Sequence, residues 1–138
     1  MPAVSIASTS RSYPDGRNVV LHTADVARSD TTAKDLFTLN KGDIPIRIEV
    51  YSGTASNAGT NARLSIGSTG SASYFVAAMD LKGTTVTSGG IGQSIPSSAA
   101  NLGAALAFAT TVTATYAEAG TASTAGGPWQ VLFWVLPG

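Results

Sequence analysis

Few side chains in this sequence are equipped for chemistry. A hydrolase needs a nucleophile activated by a base, and the single histidine, His22, sits inside an apolar strand candidate, where it reads as a structural or surface group. The nearest thing to a nucleophile elbow is Gly92-Gln93-Ser94-Ile95-Pro96. Pro replaces its final Gly, and no strand-turn-helix context surrounds it. Gly90-Ile91-Gly92 lacks the rest of any phosphate-cradling pattern. Asp25, Asp30, Asp35 and Asp43 could include a glycosidase-type carboxylate pair or calcium ligands. Their spacing forms no alternating Asp/Asn calcium loop, a carboxylate pair is judged only in three dimensions, and they read as solvated surface. With one His and no Cys, zinc is a weaker reading still. The expectation is a protein with no catalytic, cofactor-binding or metal residues, that is, not an enzyme.

The aromatic residues are the other candidates. Trp129, Phe133 and Trp134 could stack on a sugar face, which keeps a carbohydrate-binding module open as an alternative. A Trp on each side of a buried strand more often serves packing, so these three are expected in the core and at a subunit interface. Arg11, Tyr13 and Arg17, near the N-terminus, are placed to touch a partner, because an arm that orders on binding carries contacts cheaply.

The elements that must position these groups read as strands. Ile44, Ile46, Ile48 and Val50 alternate with Pro45, Arg47, Glu49 and Tyr51, the period-2 signature of a strand with one core face and one wet face. Pro45 suggests an edge position or a strand entrance. Val19 to Val26, Lys34 to Leu39, Ala62 to Ile66, Tyr74 to Leu81, Leu106 to Ala109 and Thr111 to Ala117 are further candidates. Trp129 to Leu136 is apolar on both faces, as in a strand buried on two sides. A helix competes for Ala99 to Phe108, with Gly103 in its middle. The loop between the strands ending at Tyr51 and beginning near Ala62 reads like a hairpin. Its GTASNAG (53–59) returns as GTASTAG (120–126), either by composition or as the hairpin tips of two equivalent halves. Such small-residue loops can pack closely against another backbone. The expected fold class is all-β: residues 1–18 form an extended N-terminal arm, and 19–138 a single-domain β-sandwich or jelly-roll-like unit.

Composition bounds the function. A chain of 138 residues supports one modest core. Only 12% of residues are charged, about half the usual share, and the formal net charge is zero. No basic patch invites nucleic acid or an anionic membrane. Twelve of the sixteen charged side chains fall between Arg11 and Glu49, and only Glu118 follows Lys82. A surface so weakly charged suits a protein whose faces are covered by other subunits. The N-terminus has neither the basic nor the apolar region of an export signal, and no stretch approaches the roughly 18 apolar residues of a membrane span. Synthesis in the cytoplasm as a soluble chain is expected.

The stretches DTTAKDLFTLNKGDIPIRIEVYSGTASNAG (30–59) and TYAEAGTASTAGGPWQVLFWV (115–135) resemble small structural proteins of tailed bacteriophages, most nearly the head decoration, or cement, class. The resemblance spans roughly Arg11 to Leu136. It implies a jelly-roll-like subunit that forms a homotrimer on the outer capsid surface of the virion and bridges neighbouring major capsid proteins. The arm with Arg11, Tyr13 and Arg17 would meet the capsid, and Trp129, Phe133 and Trp134 the other subunits. A head-fibre or tail attachment component is the alternative within the same class of virion parts.

Overall fold

In a computed structural model, residues 18–82, 93–94 and 102–138 are described. Residues 1–17 of the expected arm, the Gly90-Ile91-Gly92 stretch and all of the elbow sequence except Gln93 and Ser94 lie outside them. Eight strands form: β1 Val20–Val26, β2 Lys34–Leu39, β3 Ile44–Tyr51, β4 Asn61–Ser68, β5 Ser71–Asp80, β6 Gln93–Ser94, β7 Thr110–Ala119 and β8 Trp129–Leu136. No helix occurs among the described residues.

The strands build two antiparallel four-stranded sheets, β1-β8-β3-β6 and β2-β7-β4-β5. First pairs with eighth, second with seventh, third with sixth and fourth with fifth. A long antiparallel hairpin folded over on itself gives these pairs, and the fold adds β3·β8 and β4·β7. This is the jelly roll, and the all-β sandwich expectation holds. Every connection except the β4–β5 hairpin passes from one sheet to the other. The expected β3–β4 hairpin is therefore a crossover, since its two strands lie in different sheets.

Alternation decides what each strand buries. Trp129, Val131, Phe133 and Val135 of β8 join Ile48, Val50 and Val26 on the core side, facing Leu39, Leu64, Ile66, Phe75, Val112, Ala114 and Tyr116 of the other sheet. Aromatic rings tie the layers together. Phe133 packs edge-on against Phe37 (5.4 Å) and Phe75 (5.1 Å), and Trp129 stacks on Tyr116 (5.3 Å). As expected, β8 is a central strand, and even its outward Leu132 and Leu136 are 9% and 8% exposed. Pro45 stands at the entrance of β3, where the register with β8 shifts between Pro45 and Arg47. The bulge accommodates the missing N–H.

Leu106 to Ala109 is neither strand nor helix over its described length. Gly103, with φ of 89°, breaks the helical path, and the segment spends its backbone groups on the β2–β3 connection: Gly42 N–H donates to Leu106 O (2.8 Å) and Leu106 N–H to Asp43 O (2.9 Å). The edge strand β5 is irregular. Its register with β4 shifts twice, and Ala78 has φ of 52°, which blunts it for strand addition.

Candidate functional site

The two GTAS segments meet at one end of the sandwich. Residues 53–59 lie in the β3–β4 crossover and 120–126 in the β7–β8 crossover, so they are sheet-to-sheet passages and not hairpin tips. Asn57 joins them. Its Oδ1 accepts from Thr124 N–H (2.8 Å) and Ala125 N–H (3.0 Å), and its Nδ2 donates to Thr124 Oγ1 (2.9 Å). Gly59 N–H donates to Thr121 O (2.8 Å). A Cβ on Gly59 would lie 2.4 Å from the Thr121 nitrogen, so the approach requires glycine.

Beneath the crossovers lies a polar chain. Tyr116 Oη donates to Glu118 Oε1 (2.7 Å) and takes a bond from Ser56 Oγ (2.8 Å). Ser123 gives Glu118 both its backbone N–H (2.8 Å) and its hydroxyl (2.6 Å). Arg28, from the β1–β2 connection, donates to Ser123 O (3.0 Å), Ser123 Oγ (3.2 Å) and Thr124 O (3.3 Å). A cleft of about 450 Å³ opens here, lined by Ala27, Arg28, Ser29, Thr31, Glu118 and Ser123 among others. Hydrogen bonds from Ser123 and Tyr116 hold the Glu118 carboxyl below its usual range, while burial pushes the Tyr116 phenol up. A carboxylate so stabilised is a weak general base, and the guanidinium is occupied by loop oxygens. The cleft is thus braced by hydrogen bonds that join the β7–β8 crossover to β7 and to the β1–β2 connection.

The brace has a pH signature. A carboxyl whose folded value is depressed contributes stability that is complete above its unfolded value and is lost as pH falls through the folded one. Glu118→Gln is therefore expected to lower the melting temperature at pH 7 and to flatten its fall between pH 5 and acid, relative to wild type. Equal acid slopes in the two proteins would contradict this role. His22 contributes separately: it stacks on Phe37 (4.8 Å), and burial lowers its value against the opposing pull of Asp43.

The outer face of the β1-β8-β3-β6 sheet carries a second cluster. The Arg47 guanidinium lies 5.6 Å from the centre of the Trp134 ring and pairs with Glu49. Glu49 is fully buried, and Arg47 is the partner its carboxylate has among the described residues. Its place corrects the reading of β3 as wet on one face. Its register neighbours are Leu132 of β8 and Ser94 of the short β6. Alternation fixes which side of the sheet a residue takes, not whether that side is covered.

Of the residues singled out by sequence, Trp129 and Phe133 are 0% exposed within the chain's own core, leaving no area for a second subunit or a sugar. Trp134 keeps part of its surface on the outer face. Asp30 and Asp43 are turn formers and not free surface: Asp30 Oδ2 accepts from Ala27 N–H (2.7 Å), and Asp43 accepts from Asn40 N–H (2.8 Å) and Gly138 N–H (3.1 Å). Asp25 and Asp35 are exposed. No group of three or more potential metal ligands converges among the described residues.

No family model matches the chain, and no curated protein does. A solved structure does: a chain of the cyanophage Pam1 capsid asymmetric unit matches with a TM-score of 0.58 over 100% of both chains. The two chains share a fold. Their sequences are 20% identical, so the likeness is one of architecture. It runs the full length of both chains.

Sequence missed Glu49, Asn57 and the Arg28–Glu118 brace. The repeated GTAS segments were the one signal that pointed to their neighbourhood. Arg11, Tyr13 and Arg17 lie outside the described residues.

Proposed function

We propose that the chain is a structural protein of a bacteriophage virion, a head decoration protein that trimerises on the outer capsid surface and ties neighbouring major capsid proteins together. The observation that carries this reading is the likeness of fold, over the whole chain, to a component of the cyanophage Pam1 capsid. The resemblance of residues 30–59 and 115–135 to decoration proteins and the near-absence of charge after Lys82 support it independently.

The mechanism is mechanical, not catalytic. Each subunit presents a rigid sandwich, its crossovers locked by Asn57 and Glu118, and contributes one weak contact through Arg11, Tyr13 and Arg17. Three linked copies multiply that contact, because the second and third binding events are intramolecular. Attachment elsewhere on the particle, at a head fibre or the tail, uses the same physics with another partner. A carbohydrate-binding role falls to Trp134, since Trp129 is enclosed; quenching of Trp fluorescence by glycans would favour it.

The test is solution mass by light scattering after size exclusion at micromolar concentration. Three times the chain mass of 13.9 kDa is expected. A clean monomer contradicts the reading.

A further inference from the structure

The end of the sandwich opposite the GTAS crossovers carries an uncharged stretch of surface, beside the exposed Lys41 of the β2–β3 connection. Neither residues 64–79 nor residues 102–117 contain Asp, Glu, Lys, Arg or His. Out of this surface stands Phe108, 77% exposed, the most exposed large hydrophobic side chain among the described residues. Loop slack does not explain it. Leu106 is anchored at 7% exposure, Gly103 N–H donates to Pro45 O (2.7 Å), and the Thr110 hydroxyl donates to the carbonyl of Phe108 itself (2.9 Å). The backbone holds the ring out.

The ring is itself one wall of a groove of about 470 Å³, whose other walls include Ser68, Thr69, Tyr74, Thr110 and Thr111. Tyr74 is 38% exposed along it. Knob and groove thus share one surface.

We propose that this surface is where copies of the chain meet, with Phe108 of one copy seated in the groove of the next. The inference rests on the self-association in the proposed function and supplies its interface. Charge selects the occupant. Burying an unpaired charge is costly, so an uncharged groove accepts an uncharged partner. The other described faces carry exposed charge: Asp25 on β1, Asp35 on β2, Arg47 on β3, Arg63 on β4. The matching surface within this chain is the groove and its walls, which hold no charged side chain, with Lys41 outside their lining. An aromatic anchor in a groove ringed by small residues is also the usual make-up of an interface centre. Phe108 entering the groove of the next copy is a head-to-tail contact, which gives a ring where the rotation between copies closes and an open filament where it does not; the trimer of the proposed function is the three-membered ring.

Phe108→Asp places a charge in that contact without touching the core, so the variant is expected to melt close to wild type but to run as a monomer in size exclusion with light scattering. Thr69→Lys in the groove wall should do the same. Mixing the two leaves the Phe108 knob on one copy and the Thr69 wall on the other, and a two-chain species is expected. Thr23→Asp, the same charge on an exposed position of β1, should leave the trimer intact. A trimeric Phe108→Asp, including one that has lost only capsid binding, overturns the inference while sparing the proposed function. A monomeric wild-type protein overturns both.

Discussion

Phe133→Ala is expected to remove about 3–5 kcal/mol of stability, a large part of the roughly 5–15 kcal/mol that holds a domain folded. Phe133 is wholly buried in the central strand β8, and its ring is gripped edge-on by Phe37 and Phe75, which belong to the opposite sheet. Alanine there opens a void at the point where the layers hold each other, and the strands on either side cannot collapse into it without breaking the β1·β8 and β3·β8 ladders. Phe108→Ala removes the same atoms from an exposed position and should change the stability of the isolated subunit by less than about 0.5 kcal/mol. Urea unfolding of both variants, followed by Trp fluorescence under conditions where the subunits are dissociated, makes the comparison. A loss below about 1 kcal/mol at Phe133 would contradict the packing account.

Deleting residues 1–17 is expected to abolish capsid binding and leave the trimer intact. Arg11, Tyr13 and Arg17 supply the contact in the proposed mechanism, while the surface around Phe108 joins the copies. Since the arms act together, removing all of them forfeits the multivalent gain, about 10²- to 10⁴-fold in affinity. Co-sedimentation of the truncated protein with capsids lacking the decoration protein reads the first effect, and light scattering the second. Loss of trimer and binding together would refute this division of labour. Arg17→Ala alone should weaken binding by more than a single contact suggests, because the change is repeated in every subunit.

The strands were legible in the sequence and their partners were not. Ile44 to Tyr51 and Trp129 to Leu136 announce themselves by alternation and by two-sided apolarity, properties of a strand's own environment. Pairing in a jelly roll is set by the folded-over hairpin, so β1 finds β8 across more than a hundred residues, and a Gly-bounded loop such as 53–59 looks like a hairpin when it is a crossover. The GTAS echo was visible as text. Its meaning, two crossovers held side by side by Asn57, depended on knowing which sheet each strand joins. Trp129 and Trp134 were rightly set on opposite faces by their odd spacing, but parity alone assigned no depth. For the same reason Glu49 was placed on the correct side and wrongly wetted. Phe108 was hidden in a run of Ala and Leu that reads as helix, strand or core, and its exposure follows from hydrogen bonds to the β2–β3 connection, which no local pattern encodes.

The central claim is a place on a particle, and a reconstruction by electron cryomicroscopy of the virus encoding this chain tests it most directly. The account predicts trimeric jelly-roll density outside the shell over junctions between major capsid proteins, with the Phe108 ends gathered at the threefold axis and the N-terminal residues running down to the shell. Well-ordered particles with no such density on the head, or with the chain confined to the tail, would contradict it.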